Sequence, residues 1–380
     1  MVNTIVFRMI YRVIEPAISK KFGKGKAIVL IGPRQVGKTT LLNSIIHDKN
    51  HLFLDGDDPT FRNILQNINT KQLKTLIGNH ELVFIDEAQH IENIGLTLKL
   101  ITDQFKNVQL LVSGSSAFEI KNLTNEPLTG RKWQYYLFPI SWEEFEIYSG
   151  HLKAVQQLEQ RILYGMYPDV ITNLGEETEI LKTLSDSYLY KDILAFHNLK
   201  KPEVLEKLMQ ALAYQIGQEV SYNELSQLLG IDKNTVSSYI DILSNNYVIF
   251  KLPSFSKNLR NEIKRKQKIY FYDNGMRNAI INDFRPLDAR QDKGALWENF
   301  LISERVKRNT YHLLLSKSYF WRTTSQQEID YIEVTNGAIS AYEIKWNEKA
   351  KVKIAKAFEK SYDTKVSIIN KSNFINFLNP

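Results

Sequence analysis

"IVLIGPRQVGKTTLL", residues 28–42, decides how the first third of the chain folds. Its apolar run, Ile28 to Ile31, reads as a buried strand, because strands covered on both faces carry continuous hydrophobic runs. The run passes into a loop bounded by Gly32 and Gly37, and a helical pattern starts at Lys38. Gly32, Gly37, Lys38 and Thr39 have the spacing G-x-x-x-x-G-K-[ST], which between a strand and a helix is a phosphate-binding loop. Glycine lets backbone N–H groups close around phosphates at a helix N-terminus, where the dipole favours anions. The expected contacts to ATP run through Gly32, Pro33, Arg34, Gln35, Val36, Gly37, Lys38, Thr39 and Thr40. Lys38 would neutralise β/γ-phosphate charge, and the Thr39 hydroxyl would ligate Mg²⁺.

"ELVFIDEAQHI", residues 81–91, supplies the complement. A second apolar strand, Leu82 to Ile85, ends in Asp86 and Glu87, and ligands of parallel sheets bind beyond the C-terminal strand ends. Asp86 would hold Mg²⁺ through water, and Glu87 would polarise the attacking water. A third strand, "VQLLVSGSS" (108–116), brings Ser113 and Ser115 to the same edge. Ser115 is assigned to the γ-phosphate or the lytic water. "LTGRKWQYYLFPISWEEF" (128–145) supplies Arg131 on a turn. Two roles are open to it: stabilising transition-state charge, within the chain or toward a neighbour, or standing on the surface.

"GPRQVGKTTLL", "FIDEAQHI", "LVSGSS", "LTGR" followed by "LFPISWEEF", and "YGMYPDVI" together resemble one family. It is the prokaryotic AAA-type ATPases with a C-terminal domain of unknown function related to the PD-(D/E)XK nucleases. The resemblance covers nearly the whole chain. It implies an ATPase (an NTP phosphohydrolase) with an ASCE-type P-loop fold, and it implies no biological role. The expected fold class is α/β: a P-loop AAA-type domain with a parallel sheet over residues 1–200, a winged helix over 201–285, and a mixed α/β PD-(D/E)XK-like domain over 286–380.

The middle unit is read from "VSYNELSQLLGIDKNTVSSYIDILSNNYVIFKL" (220–252). Leu225, Leu228 and Leu229 fall on one helical face, Val236, Ile240 and Leu243 on another, and Gly230–Ile231 turns the chain between them. "YVIFKL" and "QKIYFYD" would form the two strands of a wing. Between them stand Lys257, Arg260, Lys264, Arg265 and Lys266. On one reading Lys233, Asn234, Thr235, Ser237 and Ser238 face a DNA groove while the basic wing meets phosphates. On the other, the unit is a packing module behind the ATPase.

Near the C-terminus, "EIDYIEVTNGAISAYEIKW" (328–346) predicts a hairpin turning at Asn336-Gly337. That turn sets Thr335 opposite Ala338, Asp330 opposite Glu343 and Glu328 opposite Lys345, all four outer side chains on one face. Opposed carboxylates repel, and a hard cation between them would remove the repulsion. With Glu298 from the upstream helix "ALWENFLISERV", Asp330 and Glu343 form the expected metal site, and Lys345 would act catalytically on metal-bound water. These residues match the PD-(D/E)XK pattern except that Ile329 stands where the proline would be. The alternative is an interaction module that binds a protein partner.

Bulk properties frame these readings. The chain has 380 residues, 43% hydrophobic and 24% charged, as soluble globular proteins do. It has no cysteine, which excludes disulfides, thiolate metal sites and cysteine nucleophiles. Its net charge is +7, and residues 251–310, with 14 Lys/Arg against 7 Asp/Glu, hold the entire excess. Such a local surplus suits a polyanion or a solvated surface. "MVNTIVFRMIYRVIEP" reads as a first helix rather than a signal peptide, since Arg8 and Arg12 interrupt its apolar residues. The expected location is cytoplasmic, with no membrane partner. The expected ligands are ATP and Mg²⁺, the candidate macromolecules DNA and a protein partner, and self-association is left open.

Overall fold

The computed structural model describes residues 9–115, 127–186, 202–256, 267–323, 325, 327–349 and 355–379. Five strands form the first sheet: β1 (Ala27–Ile31), β2 (His51–Asp55), β3 (Leu82–Asp86), β4 (Gln109–Gly114) and β5 (Lys132–Tyr136). All are parallel, in the order β2-β3-β4-β1-β5. The runs that read as continuous apolar strands, β1 and β3, are buried at every position. β4 stands between them, so the loop after β1 and the acids ending β3 converge across one intervening strand end. The helix α1 (Lys38–Ile46) starts at Gly37, whose φ of 90° is a left-handed value that glycine adopts at low cost. Gly32 is required for space: a Cβ there would lie 1.9 Å from the Leu137 carbonyl oxygen.

Of the expected first helix, residues 1–8 lie outside the described residues; from Met9 the chain runs without helix to a short helix, Glu15–Ser19, with Arg12 buried.

In the middle region α2 (Tyr222–Leu229) and α3 (Lys233–Asn245) are joined through Gly230 at φ 64°. Ser221 caps the first and Asp232 the second, each accepting a backbone N–H that the helix start leaves unpaired. A three-stranded antiparallel sheet follows, β6 (Glu219–Val220), β7 (Ile249–Pro253) and β8 (Gln267–Phe271), in the order β6-β8-β7. Leu225, Val236, Ile240 and Leu243 are buried, but Leu228 is 68% exposed, so the apolar face of α2 is narrower than its leucines suggest. Lys257, Arg260, Lys264, Arg265 and Lys266, like Arg8, lie outside the described residues.

The C-terminal region comprises α4 (Lys293–Tyr311), β9 (Ser316–Arg322), β10 (Glu328–Thr335), β11 (Ala338–Ile344), α5 (Lys356–Tyr362) and β12 (Val366–Ile369). The sheet order is β12-β11-β10-β9, with β11 and β12 parallel and the other pairs antiparallel. Asn336 and Gly337 both have positive φ, 51° and 86°, as a two-residue hairpin turn demands. Thr335 pairs with Ala338 and Tyr331 with Tyr342, the register read from the sequence.

Hydrophobic clusters cross between these regions. One contains Phe84 and Leu111 of the parallel sheet together with Leu208 and Ile240 of the middle region. Another joins Trp142 and Ile162 to Trp297 and Phe300 of α4 and to Phe374 near the C-terminus. Helix α4 is therefore packed directly onto residues that follow the parallel sheet. Among the described residues no helix is long and apolar enough to cross a membrane.

Candidate functional site

At the C-terminal end of the parallel sheet, Thr39 Oγ1 donates to Asp86 Oδ2 at 2.7 Å. Lys38 is buried, with Nζ donating to the carbonyls of Gly32 (3.1 Å) and Pro33 (2.9 Å), and it stands 4.0 Å from Glu87 Oε1. The loop, the lysine, the hydroxyl and both acids are thus within one strand end of each other. Burial pushes the Asp86 carboxyl above its usual range, opposed by the hydroxyls of Ser113 and Thr39. A hydroxyl and a carboxylate side by side are the hard oxygen donors that Mg²⁺ takes, so Thr39 and Asp86 fit that ion.

The two serines separate here. Ser113 donates to Asp86 and accepts the Glu87 backbone N–H at 3.3 Å, so it orients both acids. Ser115 instead accepts from Gln89 Nε2 at 2.9 Å, and the same amide donates to Glu87. Gln89 and His90 are site residues that the sequence reading passed over. His90 stands 3.2 Å from Asp57 and 3.5 Å from Arg34 of the loop, and burial pulls its pKa down. Their only signal was their place just beyond Asp86-Glu87, after Ala88. A cleft of 320 Å³ opens on the other side of the loop, lined among others by Met9, Ile10, Gly37, Thr40, Leu41 and Asp169. Its walls come from segments more than a hundred residues apart, which hides it in the sequence.

Arg131 is not part of this site. It immediately precedes β5, and its carbonyl accepts the N–H of Ala27, the first residue of β1. Parallel strands put residues that precede them at the end of the sheet away from residues that follow them. Five residues of β1, about 16 Å at 3.3 Å each, separate it from the phosphate loop. Its guanidinium pairs with Asp103 at 2.7 Å. A transition-state role within its own chain is thereby corrected.

The C-terminal acids gather around cations. Lys345 Nζ lies 2.7 Å from Glu343 Oε1 and 3.5 Å from Asp330 Oδ2, and Asp330 also accepts the Ile344 N–H at 2.8 Å. Glu298 accepts from Tyr270 Oη at 2.6 Å and from Lys268 Nζ at 3.2 Å. Lys268, only 2% exposed, also meets Glu328 at 2.5 Å. Burial, reinforced by Asp330, pushes Glu298 up to about 7 and Glu343 up to about 6. Burial opposes the charge on Lys268 and Lys345, but the surrounding carboxylates outweigh it and hold both above the usual lysine range.

The structure therefore brings Glu298, Asp330, Glu343 and Lys345 together, with Lys268 among them. Among the described residues no group of three or more His, Asp or Glu side chains is arranged to hold a metal ion. Ammonium groups bond several of the oxygens a metal would need, Lys345 meeting Glu343 Oε1 and Lys268 meeting Glu298 and Glu328, while Glu343 Oε2 is buried without a hydrogen-bond partner. Lys268 is the residue the sequence reading missed. It sits on β8, where it shares a face with Tyr270, two residues on.

Comparison with known proteins gives three matches along the chain. Residues 24–146 match the family described as AAA domain. This stretch is therefore similar to AAA-type P-loop domains. Residues 155–287 and 293–376 match two families described as domains of unknown function, DUF8612 and DUF4143. An uncharacterized protein of Methanocaldococcus jannaschii is 26% identical over 94% of this chain and 84% of its own length. One of Mycobacterium tuberculosis is 25% identical over 85% of this chain and 70% of its own. Among solved structures, a Walker-type ATPase of Pyrococcus abyssi superposes with a TM-score of 0.50 at 13% identity, over 72% of this chain and 96% of that one. That likeness is one of fold.

Proposed function

We propose that the protein binds and hydrolyses ATP at the phosphate loop, and that its nucleotide state governs how the middle and C-terminal regions engage a partner. The observation that carries this is the contact of Thr39 with Asp86, which places the loop and the end of β3 around one position. The loop amides and Lys38 would hold the β- and γ-phosphates, with Lys38 exchanging two backbone carbonyls for phosphate oxygens. Mg²⁺, held by Thr39 and Asp86, would supply charge neutralisation. Glu87, oriented by Gln89 and the Ser113 contact to its N–H, would take the proton of the attacking water. The 320 Å³ cleft beside Gly37 and Thr40 suits the nucleoside.

DNA is the partner class we favour for the middle region. The helix–turn–helix of α2 and α3 with the antiparallel β7–β8 pair supports a winged-helix reading, and Lys233, Asn234 and Ser238 are exposed on α3. One cation there suits phosphate contact better than base readout. For the C-terminal region the order helix, three antiparallel strands, helix, parallel strand, with Asp330, Glu343 and Lys345 converging, supports a PD-(D/E)XK-like fold. Lys268 favours a second reading of its activity, as a non-cleaving interaction module. We take 1–200, 201–285 and 286–380 as the working units of a cytoplasmic protein.

The test is ATP turnover by wild type, Lys38→Ala and Glu87→Gln, run beside incubation of plasmid DNA with Mn²⁺, with and without ATP. ATP hydrolysis that needs Lys38 and Glu87, without DNA cleavage, is expected. Equal hydrolysis by all three proteins would overturn the ATPase reading. Cleavage abolished by Asp330→Asn would restore the nuclease reading.

A further inference from the structure

Arg12 is 5% exposed, and its guanidinium ties together three parts of the protein. Nη1 donates to the Val36 carbonyl at 2.6 Å, and Nη2 donates to the Phe138 carbonyl at 2.7 Å and to Tyr311 Oη at 3.1 Å. Nε donates to Glu144 Oε1 at 3.1 Å. Tyr311 Oη in turn accepts the Phe138 N–H at 2.8 Å. Burial opposes the charge on Arg12, but Glu144 and Tyr311 outweigh it and hold the group above its usual value.

The Val36–Gly37 peptide is the last of the phosphate loop before α1. In a planar trans peptide the C=O and N–H point in opposite directions. The Arg12 guanidinium, which also lines the 320 Å³ cleft beside Gly37, bonds the Val36 carbonyl and so would hold the Gly37 N–H turned the opposite way, into the loop. Glycine rotates freely, so without such a clamp this peptide would sample orientations that bind no anion. Tyr311 is the last residue of α4, the helix that carries Glu298 about 20 Å away at 1.5 Å per residue.

We propose that Arg12 is the positioning residue of the phosphate loop, and that its bond to Tyr311 makes nucleotide affinity depend on how α4 is seated against the ATPase domain. This rests on the ATP reading above and adds the route by which the C-terminal region is coupled to it. Linkage is reciprocal, so ATP must tighten the seating of α4 by the same factor by which that seating tightens ATP.

The test compares wild type, Tyr311→Phe and Arg12→Lys in three measurements: affinity for a fluorescent ATP analogue, turnover, and melting temperature. Tyr311→Phe removes one hydroxyl and keeps the ring beside Phe138. It should weaken ATP binding about fivefold, the low end of allosteric coupling, with saturated turnover unchanged. In wild type, ATP should slow hydrogen exchange in residues 300–311, and in Tyr311→Phe this protection should vanish. Arg12→Lys should weaken binding further, because one ammonium cannot span acceptors that a guanidinium fork reaches together. Wild-type affinity in Tyr311→Phe would overturn the proposal alone, as would a lower melting temperature with affinity unchanged. Failure of the wild type to bind ATP would overturn the ATP reading and the proposal with it.

Discussion

The phosphate loop and the C-terminal carboxylate cluster both set lysines beside acids, yet they are built to opposite ends. At the loop, Lys38 rests on two neighbouring backbone carbonyls, and the Thr39 hydroxyl and the Asp86 carboxylate lie adjacent. In the cluster, Lys268 arrives from a strand of another sheet and pairs with Glu298 and Glu328. The first arrangement sets a hydroxyl and a carboxylate side by side, whereas the second sets lysines of its own chain among its acids and leaves Glu343 Oε2 without a hydrogen-bond partner. Similar residue types are thus arranged in two ways, and on the reading proposed above the first is a binding site and the second an internal ion-pair network.

The strongest way to break this comparison is Lys268→Met. It would leave Glu298 and Glu328 without their shared buried partner, and breaking a buried pair costs about 3–5 kcal/mol. Urea denaturation should show that loss, and Mn²⁺ should restore part of it in the variant but not in wild type, by binding the folded state alone. A loss below about 1 kcal/mol, typical of surface pairs, would mean that Lys268 is not held as described. Lys38→Ala should weaken ATP binding about 100-fold, since charged hydrogen bonds contribute about 1.5–3 kcal/mol. Calorimetry on the nucleotide measures this directly.

A pH series sharpens the contrast. Glu298 is held near 7 against an ordinary 4.5, so its contribution to stability is complete below about 4.5 and is lost as pH rises through 7. Wild type should therefore lose on the order of 2 kcal/mol between pH 5 and 8. Glu298→Gln should flatten that slope, and an unchanged slope would place the titration elsewhere. The smallest effect belongs to Arg131→Ala, which should leave ATP turnover by the single chain unaltered, since that residue lies at the far end of the sheet.

What was legible in the sequence was local. The phosphate loop is one contiguous motif, and a strand followed by Asp86-Glu87 announces its own end. The hairpin register followed from Asn336-Gly337 because a two-residue turn permits one alignment. Features set by distant packing were not legible. Arg131 looked close to the ATP site because "LTGR" follows the sheet in sequence, yet its position before a parallel strand sends it to the opposite end. Ser113 and Ser115 stand two residues apart yet meet different partners, Asp86 and Gln89, which come from beyond the motif that carries the serines. Lys268 stood in the wing strand "QKIYFYD" with no role of its own, since nothing there tells that its face closes over acids from α4 and β10. Arg12 read as a break in an N-terminal apolar run, although its four acceptors come from segments up to 299 residues away.

The most direct test of the contrast between the two centres is the number of Mn²⁺ ions each chain retains in equilibrium dialysis with a non-hydrolysable ATP analogue. One ion per chain is predicted, retained in Asp330→Asn and lost in Lys38→Ala. Two ions per chain in wild type, one of them persisting in Lys38→Ala and disappearing in Asp330→Asn, would contradict the account.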